Sequence, residues 1–226
     1  MAIYSNFVKS FTKATFLANG SWTVPVGVTE IIVDGCGGGQ GGHFGVGGGS
    51  TRAGGHGATY HCVKLSVTPG QILNVFIGAG GSGILGGNLV SINSGSVGGD
   101  TYIQISGNTV VFFPGAGSTE FSSSTSELAG HYGHGSANPG TNRNVFGSSP
   151  GSNMTYSTVT ALGGGPGPYG NGGNGLAGQD NFQGQPFCNA AANSGAGAGA
   201  AAALSGSTPT NGGIGGSGRL YITYLA

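Results

Sequence analysis

The side chains with which this chain of 226 residues could do chemistry are few: six carboxylates, six lysines and arginines, five histidines and three cysteines. His131-Tyr132-Gly133-His134 sets two imidazoles three residues apart, a spacing open to metal ligation. No cysteine, aspartate or third histidine lies close in sequence to complete a tetrahedral set, so the pair reads as part of a polar loop. Glu30, Asp34 and Asp100 fall in or beside strand-like runs, and none has the paired setting that glycoside hydrolysis requires, although carboxylates distant in sequence can meet in space. Cys36 is followed by glycines and has no base near it in sequence. Gly35-Cys36-Gly37-Gly38-Gly39 opens no helix and carries no Lys-Ser/Thr, which argues against a phosphate cradle. The expectation is a protein that is not an enzyme, uses no cofactor or metal, and works by binding.

Binding chemistry is better represented. Phe44, Phe121, Tyr132, Phe146, Tyr156, Tyr169, Phe182 and Phe187 stand in tracts of Gly, Ser and Asn. Packing accounts for the strand aromatics Tyr60, Phe76, Tyr102, Phe112, Tyr221 and Tyr224. Rings at turn tips amid small polar residues make rigid amphipathic contacts, as in antibody paratopes and sugar-stacking surfaces. The competing use is to plug gaps between glycine segments or between protomers. From the middle of the chain the candidate receptor-binding residues are His131, Tyr132, Tyr156, Tyr169, Phe182 and Phe187.

The elements that must hold them are legible in the hydrophobic pattern. With 37% hydrophobic residues, zero formal net charge and a mean hydropathy of +0.07, the chain lacks the charge and polarity of disorder. Its 53 glycines follow no strict triplet, which excludes collagen. Sparse, scattered charge leaves no footprint for nucleic acid. No apolar run is long enough for a membrane helix, and the start of the chain shows no export signal. An odd number of cysteines without such a signal reads as free thiols.

Strand-like runs begin at Thr15, where Asn19-Gly20 predicts a tight hairpin. A turn at Gly27 leads to a strand with Ile31 and Val33 on one face and Glu30, Ile32 and Asp34 on the other. Ala58 to Val67 ends in a Thr68-Pro69-Gly70 turn, and Gln71 to Gly78 runs into Gly80-Gly81. Asp100 to Ser106 turns at Gly107-Asn108 and is followed by Asn108 to Phe113. Arg219 to Leu225 closes the chain. That makes about eight strands, seven before Gly115 and one at the C-terminus. Ala196 to Ala203 is the one helix candidate, weakened by Gly197 and Gly199. Between the strands lie tracts at about 35–57, 78–99, 115–154 and 163–218, too long for plain loops. They are flexible linkers or polyproline-II-like glycine helices packed side by side, with ~3 residues per turn.

The segment Trp22-Thr23-Val24-Pro25-Val26-Gly27-Val28-Thr29-Glu30-Ile31-Ile32-Val33, followed by Gly35-Cys36-Gly37-Gly38-Gly39, resembles the opening of the glycine-rich domain of bacteriophage tail-fibre and tail-tip proteins. Its companions are Gly54-Gly55-His56-Gly57, Val67-Thr68-Pro69-Gly70 with Leu73, Val75 and Ile77, Gly98-Gly99-Asp100-Thr101, and Gly218-Arg219-Leu220-Tyr221-Ile222. Together they cover roughly residues 16–113 and 212–226. A related arrangement, glycine-rich on a tumour-necrosis-factor-like β-sandwich, is similar to the extracellular region of anaplastic lymphoma kinase. The resemblance implies an all-β, jelly-roll-like sandwich with inserted glycine-rich loops packed as polyglycine-II helices. Residues 1–15 would be an attachment arm or edge strand, 16–114 and 212–226 the base, and 115–211 a glycine-rich insertion that binds the receptor. It further implies a virion protein, made in the host cytoplasm, joined to other phage tail proteins as a homotrimer or as a single copy capping a trimeric fibre. As a tail adhesin it would bind a bacterial surface glycan or outer-membrane protein, with no nucleic-acid partner and no membrane insertion. The rival expectation is a structural virion protein, such as a head fibre or decoration protein, that recognises nothing.

Overall fold

The computed structural model describes residues 10–42, 44–46, 51–52, 61–83, 95–116, 154–156, 159–161, 163–164, 167–174, 176–178, 188–203 and 212–226. Their architecture is all-β, with two four-stranded antiparallel sheets and no α-helix. The main strands are β1 (Phe11–Phe16), β2 (Gly20–Thr23), β3 (Glu30–Cys36), β6 (His61–Ser66), β7 (Ile72–Phe76), β8 (Thr101–Ile105), β9 (Asn108–Phe113) and β14 (Arg219–Leu225). Shorter ones are β4 (Phe44–Val46), β5 (Thr51–Arg52), β10 (Met154–Tyr156), β11 (Val159–Ala161), β12 (Leu176–Gly178) and β13 (Ala201–Ala203). One large sheet runs β1-β14-β3-β6 and the other β2-β7-β8-β9, and two three-stranded sheets run β10-β11-β5 and β12-β13-β4.

Strict alternation builds the core, because successive strand residues point to opposite faces. Ile31 and Val33 are buried while Glu30 and Ile32 are exposed, as the pattern predicts. Leu220 and Ile222 join them from β14, and Leu73, Val75, Ile103, Val111 and Phe113 answer from the second sheet. Both large sheets therefore share one core. Each of these fully buried apolar side chains contributes ~1.5–3 kcal/mol.

One sequence expectation changes. Asn19-Gly20 makes no hairpin: β1 pairs with β14 and β2 with β7, so the chain turns a corner from one sheet to the other. The Asn19 side chain instead accepts a hydrogen bond from the Ile77 amide at 2.8 Å, tying the corner to the end of β7. A tight hairpin does form at β8–β9, through Ser106 and Gly107, both at positive φ, as a primed two-residue turn requires. The alanine run, already weakened as a helix by its glycines, is extended. Ala196, Ala198 and Ala200 are buried in extended chain, and Ala201–Ala203 pairs in parallel with β12 and β4.

Register gives the fold two poles. The connections β2–β3, β6–β7 and β8–β9 are short and lie at one pole, where Ser10 and Ala226 exchange backbone hydrogen bonds. From the other pole leave β3, β7 and β9, and to it return β6, β8 and β14, so three long glycine-rich excursions share that end.

Within the excursions, residues 37–42, 78–83, 95–99, 114–116, 195–200 and 212–218 form a bundle bonded through the backbone. Its hydrogen bonds recur every third residue. Gly38 and Gly41 donate to Gly99 and Ser96, Gly39 and Gly42 to Gly216 and Gly213, and Gly218 and Gly215 to Gly78 and Gly81, all at 2.8–3.0 Å. Segment 37–42 bonds to all five others and is buried throughout. Only hydrogen fits at its closest approaches: a Cβ on Gly38 would collide with the Ala79 carbonyl, and one on Gly39 with that of Ala196.

Candidate functional site

The outer face of sheet β1-β14-β3-β6 carries a cluster built by register. Tyr221 of β14 stands opposite Thr15 of β1 and Asp34 of β3. Lys13, two residues before Thr15, places its Nζ 3.4 Å from the Tyr221 ring centroid. Arg219, two residues before Tyr221, donates from Nη1 to the Tyr221 hydroxyl at 2.9 Å. Onto this face the excursion at residues 167–170 lowers Tyr169. Its hydroxyl donates to Asp34 Oδ1 at 3.1 Å, and its ring meets Tyr221 edge-on at 5.5 Å. The Arg219 guanidinium lies 5.1 Å from the Tyr169 centroid. Below, Tyr169 packs on buried Cys36 and Ala116.

Electrostatics follow from this geometry. Burial raises the Asp34 carboxyl above its usual range, and the Tyr169 hydrogen bond and the Lys13 charge pull it back in part. The Arg219 Nε is buried and has no hydrogen-bond partner among the described residues. Burial also pushes the Cys36 thiol up to about 12 and that of Cys188 to about 11, so both stay protonated. All three cysteines are free thiols. The cluster offers stacking and hydrogen bonding, and it clamps the 167–170 turn to the sheet.

Of the candidate receptor-binding residues, Tyr169 is thus half-buried in a contact with the base. Tyr156 lies in β10, opposite Val159. His131, Tyr132, Phe182 and Phe187 lie outside the described residues, as does His134. Among the described residues no group of three or more His, Cys, Asp or Glu is placed to hold a metal ion.

Other surface groups escaped the sequence reading. Phe76, Tyr102 and Phe112 alternate with core residues and face outward on the second sheet, where they stand directly opposite one another on β7, β8 and β9. Their parity against Val75, Ile103 and Val111 is the signal that would have found them. At the glycine pole, Val97 and Ile214 are exposed. Ile214 borders a shallow depression of about 330 Å³ lined by Ala79, Gly80, Asn189, Ala190 and Gly216.

Compared with known protein families, residues 13–225 match one described as a glycine-rich domain. No curated protein matches the chain.

Proposed function

The chain belongs to the glycine-rich domain family, and from that premise we propose that it is the adhesin at the tip of a bacteriophage tail or tail fibre. It binds a receptor on the bacterial surface, a glycan or an outer-membrane protein, and does so without chemistry. The observation that carries this reading is the division into two poles. Ser10 and Ala226 meet at one, suited to attachment, and three glycine-rich excursions project from the other. The excursions are packed polyglycine-II helices, a reading supported by hydrogen bonds that recur every third residue between extended segments. The base is a jelly-roll-like sandwich, and the assembly on the fibre is three-fold. Recognition falls to residues 115–211, with Tyr169 anchoring that region to the base while the other candidates meet the receptor.

A structural virion role is the second reading, favoured by a bundle whose segments are held together chiefly by backbone hydrogen bonds. One experiment separates the two. Purified, fluorescently labelled protein is incubated with a panel of bacterial strains and their surface-glycan mutants. Selective, saturable staining supports the adhesin; absence of staining on every strain transfers the weight to the structural role.

A further inference from the structure

Charge is divided unevenly between the two large sheets. The strands of β1-β14-β3-β6 carry Lys13, Glu30, Asp34, Lys64 and Arg219, five of the chain's six basic and six acidic residues. The strands of β2-β7-β8-β9 carry none. A solvent-facing sheet surface ordinarily takes charged or polar residues at its outward positions. This one instead presents two parallel rows that run across the strands.

The first row is aromatic. Phe76 stands opposite Tyr102, and Tyr102 opposite Phe112. The Phe76 and Tyr102 rings stack with centroids 4.6 Å apart and planes 18° from parallel. Strands lie ~4.8 Å apart, so the row spans roughly 10 Å. The second row is of amides and a hydroxyl: Asn74 opposite Gln104, and Gln104 opposite Thr109. Beyond Asn74, Ile72 is exposed. None of these side chains is needed to fill the core, which Leu73, Val75, Ile103 and Val111 already occupy from the other side of the same strands.

We infer that this face is a binding site for an uncharged polysaccharide lying across the strands. The stacked Phe76 and Tyr102 rings receive the C–H surface of the sugars, and Asn74, Gln104 and the Tyr102 hydroxyl bond their hydroxyl groups. Aromatic rings beside amides, without ions, match a ligand that is apolar on one side, rich in hydroxyls on the other and neutral overall. An anionic or cationic partner meets no countercharge on these four strands. A second copy of the chain, packed face to face, would bury the amides of Asn74 and Gln104, and each left unpaired costs stability. The inference stands apart from the tail-tip reading, because the site is on the flank of the base and not at the glycine pole.

Affinity electrophoresis through gels containing an α-glucan, a β-glucan or a galactomannan, followed by titration calorimetry, tests it. At least one of these retards the wild-type protein. Tyr102→Ser weakens that binding about tenfold, Gln104→Ala weakens it less, and both remain folded; Lys64→Gln, on the other large sheet, binds as wild type. Three results overturn the inference: retardation by none of the three polymers, equal retardation of folded Tyr102→Ser and Gln104→Ala, or a dimer that Tyr102→Ser dissociates, which would give the face to a second copy. Cell staining reports separately on the glycine pole, so either reading can fail while the other stands.

Discussion

Asp34 and Tyr169 show how a single contact ties an excursion to the base. Removing the phenol hydroxyl in Tyr169→Phe leaves the half-buried carboxylate without its partner, and the expected loss is about 1 kcal/mol, read by chemical denaturation. The pH dependence has a definite sign. Because burial raises the folded carboxyl above its unfolded value, the folded state holds that proton more tightly. Stability from this group is full below the unfolded carboxylate range of about 4 and falls as pH rises through the folded value. In Asp34→Asn that decline disappears, so the stability of wild type relative to the variant drops between the unfolded and folded values and is flat above them. Denaturation series across the acid range give the two curves.

At the scale of elements, the glycine bundle makes the sharpest claim. Gly38→Ala drives a Cβ against the Ala79 carbonyl inside the bundle, and overpacking of this kind costs about 1–3 kcal/mol. Gly27 has open space around it but sits at φ +85°, so Gly27→Ala pays only the ~1 kcal/mol of left-handed backbone. Measured side by side by denaturation, Gly38→Ala should be the more damaging; the reverse order would mean that the bundle yields easily. The strands themselves were largely legible in the sequence, because Ile31 and Val33 against Glu30 and Ile32 declare both period and face. Partnership was not. Asn19-Gly20 carries a hairpin signal, yet β1 and β2 belong to different sheets, a choice made by the core and not by the dipeptide. The pairing of Gly39 with Gly216 was illegible for a deeper reason: it uses only the backbone, which every residue possesses alike. Tyr169 was singled out for its loop setting, but nothing in its neighbours reveals Asp34, distant in sequence, as its partner.

For the whole molecule, two kinds of interior coexist. One is an apolar core between sheets; the other buries glycine backbone, with little hydrocarbon. Heat capacity of unfolding comes from exposed apolar surface and is reduced by exposed polar surface. Scanning calorimetry should therefore give a value per residue below the usual ~12–15 cal/mol/K, and a value at or above that range would show that side-chain burial dominates. Salt should matter little. Net charge is zero, and the ion pair Lys64–Glu30, at 2.7 Å, is more than half exposed on both sides, worth ~0–1 kcal/mol. The melting temperature should accordingly stay nearly constant from dilute buffer to molar sodium chloride. The bundle also sets a rule for how such a molecule can change length. Its rungs repeat every third residue, so adding or deleting a triplet slides a segment by one rung and restores every donor to an acceptor. A change of one or two residues turns the amides toward the wrong neighbour. Among variants of this pole, tolerated insertions and deletions should come in threes, giving a folded protein a reading frame of its own.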